Sequence, residues 1–365
     1  MQELSNPVRN DSDKANDTTT FSISPGFGRR LYQGRFSFAF TSYQSGGLYL
    51  VGLGLGAKSE LNIHQAAVSR PMGIAVDDAG GFVLSGRADI QRFSNGLNPD
   101  QRVNDHFDAC YAPRMVHMTG ALDAHDVGIM ADGTPVFVNT RYNCLAVPDP
   151  QHSFVPIWRP PFISAMVAED RCHLNGLAMQ DGAPAFVTAV SRSDTIDGWR
   201  DRRGSGGIII DVTSNEVIAS GLSMPHSPRW YRDQLWVLNS GKGELGTVSL
   251  EGKTQDRFTP VAFCPGFVRG LAFVDNFALV GLSRPRYERF EGLELDRRLA
   301  EKDSEAWCGV QVIDLDSGLC VDWLRVDGAV GEIYDVAILP GVRTPMAIGA
   351  EAPEINQYIT IGQQQ

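Results

Sequence analysis

The sequence carries no C-x-x-C pair among its six cysteines, and the thiols are read as reduced. It has no excess of positive charge. Lys and Arg number 32 against 43 Asp and Glu, giving a formal net charge of −11. That argues against the basic face a nucleic-acid binder needs. No run is apolar and long enough to span a bilayer. The first twenty residues are polar and include Asp11, Asp13, Lys14 and Asp17, without the apolar stretch of a secretory signal. A soluble, cytoplasmic protein with no membrane or nucleic-acid partner is therefore expected. No P-loop, H-E-x-x-H or G-x-S-x-G string occurs, and Gly52-Leu53-Gly54-Leu55-Gly56 lacks the spacing of a nucleotide loop.

What the chain does have is turns and repetition. Gly 38 and Pro 20 favour tight turns over long helices, and 43% hydrophobic residues suffice for a large core. A short segment, followed by a turn and a β-rich run, recurs at a spacing of roughly fifty residues, the repeat of a four-stranded propeller blade. Its copies are Pro71-Met72-Gly73-Ile74, His125-Asp126-Val127-Gly128, His173-Leu174-Asn175-Gly176, His226-Ser227-Pro228, Val268-Arg269-Gly270-Leu271 and Tyr334-Asp335-Val336. The fold expected is all-β, a six-bladed β-propeller. The hairpin Phe38–Val51 around Gly46-Gly47 precedes the first copy, and the sixth copy needs strands from elsewhere. The hairpin is expected to pair with the C-terminal segment and close the ring, which removes exposed sheet edges. Residues 1–20 read as a disordered tail, 21–358 as one propeller domain and 359–365 as a C-terminal tail. Cys308 and Cys320 flank the turn at Asp316-Ser317-Gly318 and are expected to face each other across a hairpin. Two long insertions interrupt the pattern: Ser191 to Gly206, with Trp199, Arg200 and Arg203, and the charged Arg284 to Ala306, with a helical turn. Either would lid the channel mouth.

Residues that open the innermost strand of a blade face the central funnel. Three consecutive copies begin with histidine, so His125, His173 and His226 are the metal-ligand candidates. Three imidazoles with an open fourth position describe a catalytic divalent ion, zinc first, with iron or copper as other imidazole-bound metals. Glu332 and Asp126 are the candidate proton handlers, and Arg269 a clamp for a carboxylate or phosphate. Each has a plainer reading: polar residues at blade starts often bond neighbouring blades, and Arg269 would serve equally as an inter-blade ion pair. Cys172 directly precedes His173, but adjacent side chains point apart, which disfavours a nucleophile–base pair.

The strings Arg70-Pro71-Met72-Gly73-Ile74-Ala75, Phe137-Val138-Asn139-Thr140-Arg141, Cys172-His173-Leu174-Asn175-Gly176-Leu177, Met224-Pro225-His226-Ser227-Pro228-Arg229-Trp230 and Gly266-Phe267-Val268-Arg269-Gly270-Leu271 occur in that order. On them the chain resembles an uncharacterised family of conserved hypothetical bacterial proteins, known as a domain of unknown function. The resemblance runs from about Phe38 to Gly349 and implies a propeller-like fold without an assigned activity. Gly73-Ile74-Ala75-Val76-Asp77 is more loosely similar to blade openings of gluconolactonase and strictosidine-synthase relatives, and a channel metal on three histidines is similar to peptidyl-hydroxyglycine amidating lyases. The function expected is a metal-dependent enzyme of lyase or hydrolase type, acting on a small molecule or peptide in the funnel. The alternative is a non-catalytic propeller that binds a peptide or protein partner.

Overall fold

Short runs rich in Val, Ile, Leu and Phe, punctuated by Gly, Asp and Asn, pair antiparallel into six separate sheets. This computed structural model describes residues 18–54, 60–286 and 289–362. Most of the expected N-terminal tail, residues 1–17, lies outside the described residues. The innermost strands of the six blades, in chain order, are Ile74–Val76, Ala124–Ile129, Leu174–Gln180, Pro225–Tyr231, Phe267–Val274 and Asp335–Pro340. Each packs against the next, and the last returns to the first. The molecule is a six-bladed β-propeller. We call the blades I to VI in the order of these inner strands.

Closure follows the expected route. The strand Phe36–Ser42 pairs antiparallel with Asp335–Pro340, Phe40 opposite Val336, and continues through Gly47–Leu53 to Leu61–Ala67. Blade VI thus joins both ends of the chain. All residues of Phe36–Ser42 and Gly47–Leu53 are buried, since both faces meet other blades. Two further strands clasp the rim. Thr20–Ile23 adds an edge to blade V beside Cys320–Asp327, and Pro345–Ala347 runs parallel to Ala109–Met118 of blade I. The cysteine expectation does not hold. Cys308 lies opposite Val326 and Cys320 opposite Ile313, because the turn closes nearer to Cys320, and all six thiols are free. No helix among the described residues is long and apolar enough to cross a membrane.

Neighbouring blades are tied by one repeated hydrogen bond. At five of the six junctions a hydroxyl at the end of the second strand donates to a carbonyl at the start of the next blade's inner strand. Thr41 Oγ1 bonds Met72 O at 2.6 Å, Ser85 Oγ bonds Ala124 O at 2.7 Å and Thr140 Oγ1 bonds Leu174 O at 2.6 Å. Ser240 Oγ bonds Val268 O at 2.6 Å and Ser283 Oγ bonds Ile333 O at 3.1 Å. Each such buried bond contributes about 1 kcal/mol.

Candidate active site

The five carbonyls in that ladder mark equivalent positions. The residues that follow them, Gly73, His125, Asn175, Arg269 and Tyr334, form one ring. His226 is its member in blade IV. The Nδ1 of His125 bonds the carbonyl two residues back, Asp123 O at 2.8 Å, and Thr140 Oγ1 at 2.7 Å. His226 Nδ1 repeats this with Met224 O at 2.8 Å and Ser240 Oγ at 3.1 Å. The residues that precede the carbonyls form a second ring: Pro71, Asp123, His173, Phe267 and Glu332. His173 therefore belongs to a different ring from the other two histidines. The expectation of three histidines in equivalent positions is corrected here: the true counterpart of His125 and His226 in blade III is Asn175, whose Nδ2 lies 3.3 Å from His226 Nε2.

The imidazoles share one tautomer. A backbone carbonyl can only accept, so Nδ1 of His125 and of His226 carries the proton. His173 Nδ1 meets Asp170 Oδ2 at 2.6 Å, and the carboxylate likewise takes the N–H. Among the described residues, Nε2 of His125 and of His173 has no hydrogen-bond partner. Their rings lie 4.8 Å apart, edge to face, and His173 also stacks on Trp199 at 4.1 Å. Burial, with His173 nearby, holds the His125 pKa well below the ordinary histidine value. Burial does the same to His226, with the Arg269 cation as the next cause. Both rings are neutral near pH 7. Burial pushes the Cys172 thiol up, and its sulfur donates to Asn143 Oδ1 at 3.4 Å, which leaves no thiolate beside His173.

A cavity of about 660 Å³ opens above these residues. His125, His173, Arg269, Glu332 and Tyr334 line it. Both insertions reach it: Trp199, Arg200 and Arg203 from one, Arg284, Arg286 and Phe290 from the other. The second insertion is pinned by its helix Leu295–Glu301, which buries Leu295 and Leu299, while Arg298 donates to Lys242 O at 3.0 Å and pairs with Glu244. Glu332 sits between two guanidiniums, 2.9 Å from Arg286 and 3.8 Å from Arg269.

Asp126, Asn175, His226 and Asp335 do not line that cavity. Asp126, expected among the proton handlers, is held at the channel floor. Arg229 of blade IV reaches across to Asp126 of blade II at 2.8 Å and Asp335 of blade VI at 3.3 Å. Each carboxylate also accepts two backbone N–H groups, one from its own strand and one from the next blade: Val127 and Leu177 for Asp126, Val336 and Ile74 for Asp335. These bonds hold blades together.

A family model described as a domain of unknown function, DUF4915, matches residues 25–348. The chain belongs to this family. No curated protein matches it. Among solved structures, a chain of a nidogen/laminin complex is similar at 9% identity and a TM-score of 0.52, over 84% of this chain and 99% of that one. At that identity the likeness is one of fold. Virginiamycin B lyase from Staphylococcus aureus aligns at 8% identity and a TM-score of 0.40, over 85% of this chain and 99% of that one. A protein of unknown function from Bacteroides caccae aligns at 10% identity and a TM-score of 0.32, over 82% and 84%.

In this DUF4915 member the sequence reading missed three functional candidates. Asp170 stands three residues before His173, a spacing that lets its Oδ1 take the His173 backbone N–H at 2.9 Å while Oδ2 takes the ring. Tyr334 was visible only as the first residue of the sixth copy. Arg286 comes from an insertion whose placement no periodicity indicates.

Proposed function

We propose that the funnel is an enzyme active site for a small molecule, with chemistry of lyase or hydrolase type and His173 as its proton-transfer group. The observation that carries this reading is the Asp170–His173 pair at 2.6 Å, on the wall of a cavity of about 660 Å³. The size suits a metabolite-sized ligand. Asp170 fixes the tautomer, leaves Nε2 basic, and stabilises the imidazolium once Nε2 has taken a proton. Arg269 and Tyr334 stand on the same wall, where they would stabilise negative charge that develops on the ligand.

A second reading, a divalent ion on His125, His173 and His226, has one observation in its favour. All three rings donate from Nδ1 to a fixed partner, the arrangement that prepares Nε2 as a metal ligand. Among the described residues no three His, Cys, Asp or Glu side chains are grouped to hold an ion. His226 Nε2 faces Asn175 instead.

The test is turnover of a panel of small esters, lactones and β-hydroxy acids by tag-free protein. His173→Gln is expected to lower the rate by about 10²-fold or more with the fold intact by circular dichroism. Asp170→Asn should lower it by a similar order through the wrong tautomer. Full activity in both variants would overturn the acid–base role. One equivalent of metal by elemental analysis, lost when the three histidines are replaced, would establish the second reading instead.

A further inference from the structure

We propose that the ligand of this funnel carries an oxyanion, a carboxylate or a phosphate, and that Arg269 grips it between the rings of Phe267 and Tyr334. The inference rests on the reading that the funnel takes a small molecule and adds the chemical class of that molecule.

The funnel wall has unspent hydrogen-bonding capacity. Buried polar groups in folded proteins are nearly always paired, and the exceptions point to something missing. Arg269 Nε, Tyr334 Oη, Trp199 Nε1 and Glu332 Oε1 are all buried without a hydrogen-bond partner among the described residues. The four residues line the same cavity. Three of these atoms are N–H or O–H donors, and one is an acceptor. The site is therefore short of acceptor oxygens, which an oxyanion supplies in excess.

The Arg269 side chain is 12% exposed, and its one carboxylate neighbour among the described residues, Glu332, is 3.8 Å away and engaged more closely by Arg286 at 2.9 Å. One buried carboxylate is thus shared by two guanidiniums. Among the described residues, seven arginines and four carboxylates line the cavity, on a chain of net charge −11. A buried cation without full compensation is costly, and an incoming anion relieves that cost.

The guanidinium carbon of Arg269 lies 5.0 Å from the ring centroid of Phe267 and 5.0 Å from that of Tyr334. Two aromatic faces fix the plane of the guanidinium and keep its edge available for a planar or tetrahedral oxyanion. Tyr334 in turn lies 5.9 Å from His125, which adjoins His173. An anion held at Arg269 would leave the rest of its molecule beside the proton-transfer group.

The experiment titrates the full-length protein at constant ionic strength with L-malate, with inorganic phosphate and with neutral glycerol, following tryptophan fluorescence and heat. Saturable binding of malate or phosphate, but not glycerol, is expected, and the preferred anion identifies the source. Trp199→Phe should abolish most of the fluorescence change. Arg269→Gln should weaken binding at least tenfold, and so should Arg269→Lys, which keeps the charge but lacks the Nε donor. Tyr334→Phe should weaken it severalfold and covers the case in which Arg269 variants fail to fold. Absence of saturable binding by either anion, or wild-type affinity in Tyr334→Phe and the folded Arg269 variant, overturns the proposal. His173→Gln should bind within about threefold of wild type. Arg269-dependent binding with undiminished turnover in His173→Gln would sink the proton-transfer role and leave the anion site standing.

Discussion

In an Arg229→Gln protein the two carboxylates of the channel floor keep their backbone donors and lose their counter-charge. Arg229 contacts Asp126 at 2.8 and 3.2 Å and Asp335 at 3.3 and 3.4 Å, and the carboxylate side chains are 4% exposed. Removing one partner of a buried ion pair costs about 3–5 kcal/mol, because the remaining charge stays desolvated. Two backbone N–H bonds on each carboxylate place the expected loss toward the lower end of that range. The loss has a pH signature. Burial pushes the Asp335 carboxyl up, the Asp126 charge adds to it, and Arg229 holds it back. Without Arg229 it rises further. A carboxyl whose folded pKa exceeds its unfolded value gives stability at low pH and loses it as pH rises through the folded pKa. The deficit of the variant should therefore be larger at pH 8 than at pH 5, by about 1 kcal/mol or more. Urea unfolding of both proteins at each pH measures it, and other titrations cancel between them. A deficit below about 1 kcal/mol, or one equal at both pH values, would refute the assignment of Arg229 as the clamp between blades II, IV and VI.

The neutral histidines make the opposite contribution. His125 and His226 have folded pKa values held below 6.5, so the unfolded chain binds the extra protons, and stability should fall as pH drops through 6.5. The slope is up to about 1.4 kcal/mol per pH unit for each ring, and a stability profile between pH 5 and 8 that His226→Asn does not flatten would contradict it. At Gly270 the backbone has φ +77°, and a Cβ there would stand 2.7 Å from the Val336 nitrogen. Gly270→Ala should cost about 1–3 kcal/mol, and an unchanged thermal midpoint would show that the inner strands of blades V and VI are less closely packed than described.

The architecture was legible because propeller blades repeat and their turns are marked by Gly, Asp and Asn. The inner segments around His125, His173, His226 and Arg269, and the closing hairpin, all follow from spacing. The edge strand Thr20–Ile23 was not legible, since an alternation of only four residues, Thr-Phe-Ser-Ile, does not stand apart from the polar residues before it, and pairing with Asp327 to Leu324 orders it. Phase within the copies was the other gap. A one- or two-residue offset decides which side chain faces the cavity, and it is set by bulges such as that between Leu174 and Gly176, which composition does not reveal. That offset moves His173 into the ring of Glu332 and gives its expected place to Asn175. The same alternation sends Asp126 and Asp335 to the floor.

The division between floor and mouth also argues for where function resides. At the floor the formal charges of Arg229, Asp126 and Asp335 lie within one network, and the oxygens of both carboxylates are engaged. A network so fully satisfied has little left to offer a ligand. The mouth is built differently. Of the eleven buried side-chain polar atoms without a partner among the described residues, four belong to its wall. Folding alone gives no return for leaving those atoms unpaired, because each costs about 1–3 kcal/mol. The insertions of blades III and V supply Trp199 and Arg286 to the same wall, yet neither is needed to close a blade. Side chains brought in by dispensable segments, beside polar atoms that the fold leaves unsatisfied, are accounted for by a ligand and not by the stability of the ring.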